Sequence, residues 1–137
     1  MSRIERIGVS IEQELLSAFD ELIAEEGCPN RSEAVRDMIR LRLSQRQLLE
    51  PQRECVAAVT LMYDHHEAKL TQKLIDIQHN HLLDVIATTH VHIDHDNCLE
   101  VIIMKGKAAD IEKLGKKIAS LKGVKLSRVN VMATNFL

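Results

Sequence analysis

The amino-acid sequence predicts an α+β protein of two segments, a strand-helix-helix (βαα) unit over residues 1–49 and a βαββαβ unit over residues 53–137. Two observations carry that reading. Hydrophobic spacing switches along the chain between a period of two and one of about 3.6, in the order those elements require. The only stretch with linker character, Glu50-Pro51-Gln52-Arg53, falls between the two patterns.

Residues 6–11 alternate Ile7, Val9 and Ile11 with Arg6, Gly8 and Ser10, the pattern of a strand with one buried face. The spacing turns helical through Leu15, Leu16, Phe19, Leu22 and Ile23, until Gly27 and Pro29 stop the helix. Asn30 followed by Glu33 resembles a capping box, and Ala34, Val35, Met38, Ile39 and Leu43 supply the stripe of a second helix ending near Leu48. Beyond the linker the sequence predicts a strand over 54–63 and a helix over 66–80 with Leu70, Leu74 and Ile77 on one face. Two strands follow, over 85–93 and 99–105, joined by the polar turn Asp94-His95-Asp96-Asn97. Val91 and Ile93 are expected to face the core. A helix carrying Ile111, Leu114, Ile118 and Leu121 is closed by Gly123, and the last strand spans 124–133. Taken in order these elements form a ferredoxin-like arrangement, a four-stranded antiparallel sheet with two helices on one face.

Bulk properties narrow the function. No apolar run approaches the roughly 18 residues of a membrane span, and Met1-Ser2-Arg3-Ile4-Glu5-Arg6 does not open a signal peptide, so a cytoplasmic protein is expected. Cys28, Cys55 and Cys98 are an odd, widely spaced set unlike a disulfide framework, and in a reducing compartment they stay thiols. The net charge of -2 argues against a protein that coats nucleic acid nonspecifically, but charge is segregated. Arg31, Arg36, Arg40, Arg42 and Arg46 face only Glu33 and Asp37 in their segment, whereas residues 12–26 carry six carboxylates and no base. Aromatic residues are too few for stacking on single-stranded bases.

A lone six-residue strand needs a partner, and the same strand of a second chain is the nearest one available. Two such strands make a ribbon that fits the major groove of double-stranded DNA. Arg6, Gly8 and Ser10 would face the bases, with Arg6 the strong reader because its guanidinium can bond both acceptors of a guanine edge. Arg31 and Ser32, at the start of the second helix, would meet a phosphate. A strand whose polar face merely meets water gives the same alternation, and a strand-helix-helix unit also suits an antitoxin's dimerisation arm.

Five of the seven histidines fall between residues 79 and 95, close to Cys98. On a strand His90 and His92 point to one face, and Cys98 joins them if the hairpin pairs residue 92 with 98. His79 must reach the set within its own chain or complete it on a partner chain. Imidazole and thiolate ligands suit zinc, nickel or copper(II), and ligand type alone does not choose among them. Glu100 is a candidate acceptor for a ligand imidazole. For His65, His66, His81 and His95 ordinary hydrogen-bonded surface positions are expected. Glu33 and Asp37, one helical turn apart, could hold a hard cation weakly or be salt-bridged. A set of four protein ligands closes a metal site and speaks against an enzyme.

The sequence resembles the nickel-responsive ribbon-helix-helix regulators, the NikR family. The resemblance rests on Arg6-Ile-Gly-Val-Ser10, on Asn30-Arg-Ser-Glu-Ala-Val-Arg-Asp37, on Gln78-His79 and above all on His90-Val-His92-Ile-Asp-His95-Asp-Asn-Cys98-Leu-Glu100. It implies a homotetramer in which two DNA-binding dimers flank four regulatory domains of the ACT type. It also implies planar Ni(II), one per chain, held by His90, His92 and Cys98 of one chain and His79 of another. The implied role is repression of nickel-uptake genes at a palindromic operator. A zinc- or copper-responsive regulator using the same residues is the alternative. The sequence departs from the family pattern at Gly8, where some members carry a side chain that touches a base, so readout here leans on Arg6 and Ser10.

Overall fold

Helices form where apolar residues recur at helical spacing. In the computed structural model, which describes residues 2–81 and 84–135, the first stripe becomes α1 (Gln13–Glu25). It stops at Gly27, whose φ of 71° is reached without strain only by glycine. The Cys28 N–H then closes back on the Ile23 carbonyl at 2.8 Å, a Schellman-type end. The second stripe becomes α2 (Arg31–Gln47). Asn30 caps it, its Oδ1 accepting the Glu33 N–H at 2.9 Å. The reciprocal half of the capping box is not made, because the Glu33 carboxylate turns forward to the Arg36 guanidinium.

The strand expected over 6–11 is absent: residues 2–12 form neither strand nor helix, and Ile7 and Val9 are 76% and 70% exposed. The physical reason is the one that called for a second chain, since a strand without a ladder partner has nothing to bond its backbone. Two compact units divide the chain, Met1–Leu41 and Arg42–Leu137. In the first, Ile23 and Ala34 are the buried apolar residues.

The second unit contains β1 (Glu54–Asp64), α3 (Ala68–Asn80), β2 (Val85–His92), β3 (Asn97–Lys107), α4 (Ala108–Ala119) and β4 (Val124–Ala133). The sheet runs β2-β3-β1-β4, antiparallel throughout, which is the ferredoxin-like order. From β1, alternate residues Cys55, Ala57, Val59, Leu61 and Tyr63 point into the core. They meet Ile102 and Met104 of β3, Leu70 and Leu74 of α3, and Ile111, Leu114 and Ile118 of α4. Gly115 lets α4 come close: a Cβ there would stand 3.0 Å from Val129 Cγ1 of β4. Glycine in mid-helix costs about 1 kcal/mol against alanine, offset here by tight helix–sheet packing.

Observed ends of the hairpin strands differ slightly from the expected ones. β2 stops at His92 because Asp94 gathers the next backbone amides, its Oδ1 accepting the N–H groups of Asp96 and Asn97 at 2.9 and 2.8 Å. Those bonds, with the Asn97 side-chain amide first among them, hold the Asp94 carboxyl at about 2. Val91 and Ile93 do not face the core: Val91 pairs with Leu99 on the sheet face away from the helices, and the two are 46% and 52% exposed. The helix-covered face belongs to the residues between them. Among the described residues no helix is long and apolar enough to cross a membrane.

Candidate functional site

The β2–β3 register sets His92 opposite Cys98 and His90 opposite Glu100. Cross-strand partners share a face, so His90, His92, Cys98 and Glu100 all lie on the side of the sheet that carries the helices. The imidazole rings of His90 and His92 have centroids 5.3 Å apart, and the Tyr63 ring lies 6.1 Å from His90. The two histidines are exposed because β2 is an edge strand, whereas Cys98 is fully buried. Its thiol donates to the Tyr63 carbonyl at 3.4 Å. Burial pushes the thiol above its usual range, and the hydrogen bonds with Tyr63 offset this only in part. Two imidazoles and a sulfur at an open sheet edge fit a borderline divalent metal, which would have to displace the thiol proton.

Beneath this face Glu100 is buried, with 7% of its surface exposed. Its carboxylate accepts the Tyr63 hydroxyl at 2.7 Å, the Gln78 side-chain amide at 3.1 Å and the Thr88 hydroxyl at 3.1 Å. Sequence reasoning anticipated an imidazole as its partner; in this chain the donors come from Tyr63, Gln78 and Thr88. Three elements, β1, α3 and β2, are thereby tied to one carboxylate directly under His90. Burial first, then the bond to Glu100, drives the Tyr63 phenol far above its ordinary pKa, so it stays a donor. Thr88 was detectable in principle, because Thr88, His90 and His92 fall on one face at spacing two. Tyr63 and Gln78 were not, since both contacts span more than 20 residues of sequence.

His79 follows Gln78 on α3 and is exposed. His79, His90, His92 and Cys98 do not form a close-set group of ligand atoms within the chain, although the last three share one sheet face. Among the described residues, the groups whose ligand atoms all lie within 4.8 Å of one another are Asp64–His65–His66 and His66–His95–Asp96. His81 stands just past the end of α3, 3.7 Å from the Asp84 carboxylate.

In the first unit Arg6, Gly8 and Ser10 are exposed, and a Cβ added at Gly8 would meet nothing within 4 Å. Arg31 makes a two-pronged pair with Asp20 at 2.8 and 2.7 Å, which lowers the Asp20 pKa. A phosphate would compete with Asp20 for that guanidinium. Ser32 is exposed in the first turn of α2. Glu33 pairs with Arg36, and Asp37 with Arg40 at 2.7 Å, so both carboxylates offered for a cation are engaged by arginines one turn on.

Residues 5–46 match the ribbon-helix-helix proteins of the copG family, and residues 56–132 match the NikR C-terminal nickel-binding domain. With the geometry above, that pairing defines a class, the metal-responsive transcriptional regulators. A candidate nickel-responsive regulator of Solibacter usitatus is 46% identical, the match covering 98% of this chain and 96% of the relative. Proteins of the same name from Thermococcus kodakarensis (42% identical, covering 96% of each chain) and Anaeromyxobacter dehalogenans (48%, covering 92% of each) are similar too. The chain belongs to the NikR family of nickel-responsive ribbon-helix-helix regulators, a family of regulators and not of enzymes.

Proposed function

We propose that the protein is a cytoplasmic, nickel-dependent repressor of nickel-uptake genes. It binds palindromic double-stranded operator DNA as a homotetramer, a dimer of dimers, with one Ni(II) per chain. His90, His92 and Cys98 of one chain hold the metal, and His79 of a second copy completes the set. The observation that carries this reading is the hairpin register, which pairs His92 with Cys98 and leaves His90 on the same face. The exposure of His79 beside the inward-facing Gln78 supports a ligand directed at another copy. The unpartnered segment with Arg6, Gly8 and Ser10 supports a ribbon completed by a second chain, and Arg31 with Ser32 then flanks it near a phosphate.

Each residue has a separate task. His90 and His92 offer imidazole nitrogens from a strand whose position is fixed by the hydrogen bonds of Glu100 to Tyr63, Gln78 and Thr88. Cys98 gives up its proton and supplies the thiolate charge. A site shared by two chains favours the arrangements of the tetramer in which both DNA-binding dimers reach their half-sites. Coupling of this kind is reciprocal, so operator DNA tightens nickel binding by the factor with which nickel tightens DNA binding.

Titration of the purified apo-protein with Ni(II), following the thiolate charge-transfer band, tests this. A band saturating at one nickel per chain is expected, lost in both Cys98→Ala and His79→Ala. A band that survives His79→Ala would remove the shared site, and equal nickel affinity with and without operator would remove the coupling.

A further inference from the structure

The end of α3, Asp84 ahead of β2 and one side of α4 border a cleft of about 390 Å3, lined by His81, Asp84, Asp110, Lys113, Leu114 and Lys117. The α4 residues among them recur at spacings of three and four, so they form one stripe along that helix. Leu114 is buried and makes the floor. On the opposite wall the His81 carbonyl accepts the Asp84 and Val85 N–H groups at 2.9 Å each, and the Asp84 carbonyl accepts the Lys105 N–H at 2.8 Å, which anchors Asp84 to β3. A Cβ at Gly106 would stand 3.3 Å from Asp84 Oδ1, so the carboxylate lies over β3 just before α4 begins.

Charge divides this cleft into two ends. Asp84 beside Gly106 and Asp110 in the first turn of α4 make one end acidic, and Lys113 and Lys117, further along the helix, make the other basic. The side chains of Asp110, Lys113 and Lys117 make no hydrogen bond or ion pair among the described residues, and Asp84 has His81 alone, at 3.7 Å. Lys116, which does not line the cleft, is paired with Glu112 at 2.9 Å. The charges that α4 leaves unpaired are therefore those lining the cleft. Two ammonium groups one helical turn apart repel each other, and a carboxylate between them would relieve that repulsion.

A ligand that satisfies both ends carries both charges. A simple anion would meet Asp84 and Asp110, and a simple cation would meet the two lysines. From Asp110 to Lys117 the helix rises about 10 Å, so the two charges of the ligand must stand well apart. An apolar chain between them would lie along Leu114, which gives the few charged groups an apolar floor, as small-molecule sites require.

We propose that this cleft binds an extended small zwitterion of the ω-amino carboxylate class, its carboxylate between Lys113 and Lys117 and its ammonium at Asp84 and Asp110. The site stands on its own geometry and does not depend on the nickel reading of the His90–His92–Cys98 face.

The test is a calorimetric titration of the full-length apo-protein with ε-aminocaproate, beside caproate, hexylamine and glycine. ε-Aminocaproate should bind about tenfold more tightly than each of the other three, since each lacks one charge or the reach between them. The double variant Lys113→Gln, Lys117→Gln should weaken that binding by about tenfold or more, while the thermal midpoint and the thiolate band with Ni(II) stay as in the wild type. Asp110→Asn should narrow the gap between ε-aminocaproate and caproate. No binding of ε-aminocaproate at millimolar concentration, equal binding of caproate, or unchanged affinity in the double lysine variant overturns the proposal. A wild-type protein that binds ε-aminocaproate but gives no thiolate band with Ni(II) would overturn the nickel reading instead and leave this one standing.

Discussion

Between α1 and the middle of α2 the buried apolar residues are Ile23 and Ala34, while Leu15, Leu22, Met38 and Leu41 are about half exposed or more. In the second unit fifteen described residues, from Cys55 to Ile118, form one buried cluster. α1 is as amphipathic as the helices of the second unit, but α2, with five arginines, is far more polar and has only a weak apolar stripe. A four-stranded sheet has a face broad enough for two helices to cover, whereas two helices and an unpaired segment have nothing to close over. The comparison teaches that the first unit buries little apolar surface of its own. The second closes a core of its own, which fixes the strands carrying His90, His92 and Cys98.

Substitutions sharpen this contrast in order of expected size. Ile102→Ala removes a fully buried side chain from the sheet interior and should cost about 2–5 kcal/mol in urea unfolding. A loss below about 1 kcal/mol would show the second unit to be less closed than its burial indicates. Tyr63→Phe takes one of three donors from the buried Glu100 carboxylate and should cost about 1–3 kcal/mol, with nickel binding weakened through His90. Unchanged stability would mean that Gln78 and Thr88 alone satisfy the carboxylate. Asn30→Ala removes the α2 cap and should cost about 1 kcal/mol, seen as faster amide exchange in the first turn of that helix. If exchange there stays slow, something other than the cap protects the turn.

Much of the architecture was readable locally. Helix and strand periods located every element of the second unit, because each element's own apolar spacing must match the face it buries. The pairing of His92 with Cys98 was a condition that the sequence left open, since a slip by one residue turns Cys98 away, and the hairpin meets it. The error over Val91 has an identifiable cause. It sits on an apolar stripe with Leu99, Val101 and Ile103, and an apolar stripe on a strand reads as core whichever face the helices cover. The failed half of the capping box is similar in kind, since Arg36 competes for Glu33 one turn ahead and spacing does not rank the competitors.

The order of elements, the clustering of histidines beside Cys98 and the lack of a ladder partner for residues 6–11 within the chain were legible in the sequence alone, because they depend on neighbours within a turn or a hairpin. Which sheet face the helices cover was decided only by tertiary structure, and that choice turned His90 and His92 toward Cys98 and Val91 away. The partners of Glu100 were decided there too, as was the meeting of His66 with His95 and Asp96. The last two bring together residues 12 or more positions apart, and such contacts form only when whole elements pack.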